Sequence, residues 1–305
     1  MTNQTTILAP AKVNLTLSVT GRDEAGYHKL VSAVIFTSFG DTIHLASSPN
    51  DKDLQTAGAK KMSLSGPFAE ALHNAGGDDL IEKALALASQ HNMSAEFHDV
   101  RLEKNIPLGG GLGGGSADAG AIFRHLSRDL SEKEMAILRQ KSLSLGADVP
   151  VCFDSFPQIM TGKGEVAHPV RLSDDVPFIV LANPHCHANT KEIFAQFHHV
   201  KQPYRPIEAT DVANILASSD WQSLFDIGND LTKPACDLYP EIAALLDEMS
   251  WLGSAYQDDF IGRAMSGSGA SCFALFHDLE TAKAYAQKLR EKGLWAVASR
   301  FYQPR

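Results

Sequence analysis

Residues 6 to 20 open with a short apolar run and then alternate, with Lys12, Asn14, Thr16, Ser18 and Thr20 on one face and Val13, Leu15, Leu17 and Val19 on the other. Period two predicts a half-buried strand. It also predicts that Lys12 and Asn14 project the same way, about 7 Å apart at ~3.3 Å per residue, so that an ammonium and an amide can share one pocket. A polar turn over residues 21–26 then delivers Tyr27 and His28 to a second apolar segment, Leu30 to Phe39.

Further on, Leu80, Ile81, Ala84, Leu85 and Ala88 form the stripe of an amphipathic helix over 79–91, beside the glycine stretch described below. The preceding 47–66 segment has little periodicity and reads as a surface loop. A strand at 96–103 leads into that stretch, and a helix over 116–126 follows it. Ser131 and Glu134 have capping-box spacing, opening a helix that runs to about 145 and stops at Gly146. Pro150 predicts an extended Val149 just after Asp148.

The second half starts near the glycine turn 162–165, a hinge candidate, and continues with a strand at 178–182. Thr190 is positioned to cap a short helix. Helices are expected at 208–218 and 239–250, as a helical cover. A glycine-serine loop at 265–271 precedes a strand at 272–276, a helix at 278–292 ending at Gly293, and a last strand at 295–302.

The stretch from Ile106 to Ala119 carries the strongest chemical signal, with six glycines in the seven positions 109–115 running into a helix. Glycine lets backbone N–H groups approach an anion, and the helix N-terminus adds a positive dipole end. A phosphate cradle is expected. No Gly-Lys-Ser/Thr follows, so the P-loop lysine is absent and a cation and a carboxylate must come from elsewhere.

Lys12 and Asp148 are the candidates, although Asp148 can equally be a turn residue that caps backbone N–H groups. Tyr27 and His28 can stack on and hydrogen-bond a flat ring, or be structural. His185, Cys186 and His187 are adjacent, and adjacent residues seldom converge on one ion, so no metal is expected there.

Composition narrows the class. The 305 residues are 44% hydrophobic and 21% charged, a globular balance. A net charge of -9 argues against general nucleic-acid or anionic-membrane binding, so an anionic substrate needs a local basic site. The four cysteines form no CxxC pair and read as reduced thiols. With no long apolar run, a soluble, cytoplasmic protein is expected, as a monomer or weak homodimer.

Three stretches, Pro10 to Leu15, Pro107 to Ala119 and Met265 to Ala270, occur in the order of the GHMP kinase motifs, and the chain resembles that superfamily. The resemblance implies an α+β, two-lobed GHMP kinase fold. Its N-terminal lobe would be ribosomal protein S5 domain 2-like and bind ATP over about 1–160. A ferredoxin-like α/β C-terminal lobe over about 161–305 would bind the acceptor, with the last strand returning to the first lobe.

Finer features are the Thr20-Gly-Arg and Gly26-Tyr-His segments, the Gly111 to Ser116 loop and the Leu145 to Pro150 turn. They are similar to the branch that phosphorylates the 2-hydroxyl of a diphosphocytidyl methylerythritol, with ATP and Mg2+, on the route to isoprenoid precursors.

By that resemblance Lys12 and Asp148 are the catalytic pair. Lys104, Pro107, Gly109, Gly110, Gly111, Leu112, Gly113, Gly114, Gly115 and Ser116 would bind ATP. Asn14, Tyr27, His28, Asp148, Thr190 and Phe194 would bind the acceptor, with Tyr27 and Phe194 around the cytosine. No side-chain magnesium ligands are apparent, so the phosphates and Ser116 would carry the ion.

The chain departs from the pattern at Asp79, where Asn is usual near the adenine, at Thr232 in place of Glu, and at Ala117 in place of a second loop serine. Alternatives are another small-alcohol kinase of the mevalonate or homoserine type, or a non-catalytic nucleotide-binding protein.

Overall fold

A computed structural model describes residues 3–47, 58–59, 62–77, 80–91, 93, 96–97 and 99–303. Asp79 lies outside the described residues. In chain order the elements begin with β1 (Asn3–Asn14), β2 (Ser18–Arg22), β3 (His28–Ser47), β4 (Gly58–Ala59), β5 (Met62–Ser65), α1 (Ala69–Asn74) and α2 (Leu80–Gln90). Next come β6 (Glu96–Phe97), β7 (Asp99–Glu103), α3 (Gly114–Leu126), α4 (Glu132–Ser142), α5 (Val149–Asp154), β8 (Gln158–Gly162), β9 (Val166–Pro169) and β10 (Phe178–Asn183). The rest is α6 (Thr190–His199), α7 (Ala209–Ala217), α8 (Trp221–Ile227), α9 (Thr232–Leu238), α10 (Pro240–Gly253), β11 (Phe260–Met265), β12 (Cys272–Phe276), α11 (Leu279–Glu291) and β13 (Trp295–Arg300).

The chain forms two compact units that interleave in sequence. One comprises Met1–Ala11, Gly40–Leu108 and Gly113–Ser155; the other comprises Lys12–Phe39, Gly109–Leu112 and Phe156–Arg305. The glycine stretch therefore contributes to both. No helix among the described residues is long and apolar enough to cross a membrane.

In the first unit the second half of β3 pairs antiparallel with β7, Leu45 opposite Val100, and β5 adds a parallel edge, Leu64 opposite Leu102. Part of the expected 47–66 loop is thus strand, because Met62 and Leu64 continue a period-two pattern that a sheet edge can use. The α2 stripe Ile81, Ala84, Leu85 and Ala88 is fully buried.

A small residue midway along α3 serves packing: a Cβ on Gly120 would sit 2.5 Å from the Cys152 carbonyl carbon. The capping box forms, with Ser131 N–H donating to Glu134 Oε2 at 2.8 Å. Helix α4 ends at Ser142, before the expected 145.

In the second unit β10 lies between β12 and β13 in an antiparallel sheet of order β11-β12-β10-β13. Val180 and Ala182 of β10 meet Ile193 and Phe197 of α6, Ile242, Leu245 and Met249 of α10, and Tyr285 and Leu289 of α11 in one core cluster. The Tyr285 hydroxyl, buried there, donates to the Met249 carbonyl at 2.6 Å, which satisfies the one polar atom its ring brings in. The first half of β3 pairs with β2 and with β8. The glycine turn 162–165, read above as a hinge, closes the β8–β9 hairpin: Gly162 and Gly164 have φ of 69° and 107°, and Gly164 N–H donates to the Thr161 carbonyl at 3.1 Å.

The single strand expected over 6–20 breaks at residues 15–17. Leu15 N–H donates to the Ala33 carbonyl, but Leu17 N–H turns to the Gly228 carbonyl, so the ladder changes partner there. Both faces are also buried rather than one, since Lys12, Asn14, Thr16 and Ser18 are each at most 4% exposed. Two side chains of this polar face are satisfied within the unit: Thr16 Oγ1 accepts Ala33 N–H at 3.0 Å, and Asn14 Nδ2 donates to Ser32 Oγ at 2.8 Å.

Candidate active site

Within the second unit, three motifs distant in sequence meet. Lys12 N–H donates to the Leu112 carbonyl at 3.0 Å, and Ser271 N–H donates to the Gly110 carbonyl at 2.9 Å. Ser266 Oγ accepts Asn14 N–H at 3.0 Å and donates to the Gly111 carbonyl at 3.1 Å, joining all three. Glycine is required at this junction. Gly111 has φ of 72°, and a Cβ there would lie 2.5 Å from the Ser266 carbonyl oxygen. A Cβ on Gly109 would clash with the edge of the His187 ring, 1.8 Å from Nδ1. Asn229 supports the 265–267 segment from behind, its Nδ2 donating to the Met265 and Gly267 carbonyls at 2.9 and 2.7 Å.

Helix α6 carries the other half of this unit's site. Its N-cap is Asn189 rather than Thr190: Asn189 is extended, and its Oδ1 accepts the Lys191 and Glu192 N–H groups. Thr190, one position on, is already helical, and its hydroxyl instead meets Ser268 Oγ at 2.7 Å. Ile193 and Phe197 enter the core, and Phe194 and His198 occupy the neighbouring face, one turn apart.

That face borders an open cavity of about 380 Å3, whose lining includes Arg22, Tyr27, His28, Lys163, Thr190, Phe194 and His198. Tyr27, His28, Thr190 and Phe194 are therefore brought together. The ring of His28 stacks on that of Phe194 at 4.5 Å. Tyr27 is 60% exposed, with Lys163 Nζ 4.1 Å from its ring centroid and held by Asp23 at 3.0 Å.

Lys163 and His198 escaped sequence reading. His198 had a signal in its i, i+4 spacing from Phe194; Lys163 had none, because its hairpin went unread. Burial, then His198 and Arg22 nearby, push the pKa of His28 down to about 4. Each prefers a neutral ring, burial by desolvating charge and Arg22 by repulsion.

In the first unit, Gly113 at φ 64° precedes α3 with no side-chain cap, which leaves the first-turn N–H groups for an anion. Lys104 lies deep beneath. Its Nζ is 2.6 Å from Asp41 Oδ2 and 2.7 Å from Asp118 Oδ2, all three side chains being buried. Burial alone would lower the Lys104 pKa, but the two carboxylates outweigh it and hold the pKa above the usual lysine range.

Asp41 Oδ1 also accepts the Asn105 and Ile106 N–H groups at 2.5 and 2.8 Å, fixing the chain as it enters the glycine stretch. Gly114 leaves room for this, since a Cβ there would lie 3.0 Å from Lys104 Nζ.

Asp148 directly precedes α5, as the residue at its N-cap position, and its side chain makes no cap hydrogen bond to that helix. Val149 is helical rather than extended, because Pro150 falls in the first turn, where its missing N–H costs nothing. The turn approaches α3, a Cβ on Gly146 lying 3.9 Å from Ser116 Oγ.

Two family models match the chain. Residues 79–155 match the GHMP kinases N terminal domain, and residues 209–293 match GHMP kinases C terminal. A 4-diphosphocytidyl-2-C-methyl-D-erythritol kinase of Agrobacterium fabrum is 39% identical, covering 95% of this chain and 93% of its own. The kinase of the same name from Paracoccus denitrificans is 36% identical, covering 95% and 94%. The chain belongs to the 4-diphosphocytidyl-2-C-methyl-D-erythritol kinase family of GHMP kinases.

A crystal structure of 4-(cytidine 5'-diphospho)-2C-methyl-D-erythritol kinase matches over the full length of both chains, with a TM-score of 0.71 at 27% identity. A mevalonate kinase of L. major bound to R-mevalonate, 12% identical with a TM-score of 0.64, shares the fold and covers 99% of this chain and 98% of its own. The expected α+β GHMP kinase class is therefore correct for this family member.

Proposed function

We propose that the chain transfers the ATP γ-phosphoryl group to the 2-hydroxyl of 4-diphosphocytidyl-2-C-methyl-D-erythritol, giving the 2-phosphate and ADP, in the methylerythritol phosphate route to isoprenoid precursors. The observation that carries this reading is the cavity in which Tyr27, His28, Thr190 and Phe194 meet, since two aromatic rings and an imidazole suit a planar base. Asn14, held by Ser32 and Ser266, binds the acceptor from the strand side.

Pro107, Gly109, Gly110, Gly111, Leu112, Gly113, Gly114, Gly115 and Ser116 cradle the ATP phosphates, a role that the close approaches at Gly109 and Gly111 and the uncapped α3 N-terminus support. Lys104 serves the nucleotide through this stretch, its ammonium being bound to Asp41 and Asp118.

Asp148 orients the acceptor hydroxyl and takes its proton, and Lys12 stabilises charge on the transferring group. Positioning and electrostatics supply most of the rate. A magnesium ion would be carried by the phosphates with Ser116. That ion would neutralise charge on the β- and γ-phosphates. Solution in the cytoplasm as a monomer or weak homodimer, without nucleic acid or membrane, completes the reading.

The test is a magnesium-ATP assay with the diphosphocytidyl substrate, mevalonate and homoserine side by side. Turnover of the first alone is expected; turnover of another without it would overturn the proposal. Asp148→Asn should lower kcat by about 10²–10⁴-fold, the range for loss of a general base, while ATP affinity stays within about twofold. Equal losses in both would remove Asp148 from the acceptor hydroxyl.

A further inference from the structure

Helix α3 grips α5 at two points one turn apart. At Gly120 the backbones pass so close that a Cβ would sit 2.5 Å from the Cys152 carbonyl carbon. Four residues on, and so on the same face of α3, the guanidinium of Arg124 reaches the end of α5. Its Nη1 donates to Ser155 Oγ at 2.8 Å and to the Cys152 and Phe153 carbonyls at 3.0 and 3.3 Å, one of its two hydrogens being shared. Nη2 donates to the Leu8 carbonyl of β1 at 2.9 Å. The last carbonyls of a helix have no partner within it, and Cys152, Phe153 and Ser155 are all buried. The planar fork of one arginine therefore ties the main chain at the end of α5 to β1 and α3 together.

Holding the end of α5 also places its start. The helix is only six residues long, about 9 Å, and Asp148 occupies its N-cap position. The Asp148 carbonyl accepts Cys152 N–H at 2.9 Å, and the Cys152 carbonyl in turn accepts from Arg124. Arg139 of α4 reaches α5 as well, through Nη2 at 2.6 Å and Nε at 3.0 Å. Its partner is the Asp154 carboxylate, a side chain that can turn about its own bonds, whereas Arg124 holds the backbone itself.

We infer that Arg124 is a positioning residue that sets where Asp148 stands along α3. This rests on the reading that Asp148 takes the proton of the acceptor hydroxyl and that the α3 N-terminus holds donor phosphates. Helix α3 is then a ruler. Its first turn meets the nucleotide, and Gly120 and Arg124, about 9 and 15 Å further along, fix α5 and so the group that serves the acceptor. Phosphoryl transfer relies on positioning, and a shift of about 1 Å caused by a change far from the chemistry can cost ~10²-fold.

The test is a double-mutant cycle on the full-length protein between Arg124→Ala and Asp148→Asn, with kcat for the diphosphocytidyl acceptor and calorimetric titration of magnesium-ATP as readouts. Arg124→Ala should lower kcat about 10²-fold and leave ATP affinity within about twofold. In the Asp148→Asn background the same change should cost less than about threefold, because the group it positions is already disabled. Arg124→Lys, whose single ammonium reaches either the α5 carbonyls or Leu8, should lose only about tenfold.

An unchanged kcat in Arg124→Ala, a loss repeated in full in the Asp148→Asn background, or ATP affinity falling in step with kcat would overturn the inference. If Arg124→Ala does not fold, Arg124→Lys carries the same cycle, with its tenfold loss expected to vanish beside Asp148→Asn. Wild-type kcat in Asp148→Asn alone would instead sink the reading of Asp148, and the positioning role with it.

Discussion

Two clusters of polar side chains in this chain are built on opposite principles. Around Lys104 one buried ammonium meets two buried carboxylates at 2.6 and 2.7 Å, and one of these also holds two backbone N–H groups. Around His28 the groups are partly exposed aromatics, imidazoles and an arginine bordering an open cavity. The first cluster spends its hydrogen-bonding capacity inside the fold and shapes the entry to the glycine stretch. The second keeps faces and edges turned to a space that a ligand can fill. Burial of charge thus goes with internal support here, and the exposed aromatic surface is what stays open to a ligand.

The sharpest way to break that contrast is to remove the buried ammonium. Lys104→Met leaves two buried carboxylates uncompensated and should cost about 3–5 kcal/mol of stability, read from urea unfolding. Adding Asp118→Asn should recover part of it. A loss below about 1 kcal/mol would mean that water relieves the cluster, and the contrast would fail.

A smaller effect, confined to binding, is expected from Phe194→Ala. Loss of one stacking face should raise the acceptor KM about tenfold, within the ~1–3 kcal/mol of base stacking, and leave the ATP KM and the unfolding midpoint nearly unmoved. An unchanged acceptor KM would take Phe194 out of the base site.

The smallest effect is a pH dependence. His28 and His198 both have pKa values lowered in the folded chain, by burial first and then by neighbouring positive charge. The unfolded chain therefore binds more protons as the pH falls below about 6.5, and the stability they contribute, full above that value, is lost towards pH 4. The groups facing the pair are Arg22, Lys163, Lys191 and Tyr27. Lys104, with its pKa raised, keeps its charge throughout that window. Urea midpoints at pH 7 and pH 5 should drop more for the wild type than for a His28→Gln variant; equal drops would contradict the assignment.

Much of the candidate site was legible along the chain. The Lys12 to Asn14 alternation, the glycines at 109–115 and the Gly-Ser loop each carry a local requirement: a strand period, a close approach, a positive φ. Asn189 was missed as the α6 cap because Thr190 beside it is also a capping type, and only the backbone angle at each position separates them. The hairpin at 158–169 was missed because its strands are four and five residues long and its glycines suit a hinge as well as a turn. The carboxylate partners of Lys104, 63 and 14 residues away, are invisible to periodicity.

By itself the sequence determined the chemistry available: which backbone segments can approach an anion, which strand carries an ammonium and an amide on one face, and which aromatic precedes an imidazole. Those properties are local, set by φ range, side-chain period and residue type. Only the tertiary structure decided how each group is used. It put Ser266 between Asn14 and Gly111 across 252 and 155 residues, closed Lys104 into a buried triad, and set His198 against His28 across 170 residues. Hydrogen bonds and ion pairs depend on distances of a few ångströms, and packing alone brings such distant residues that close.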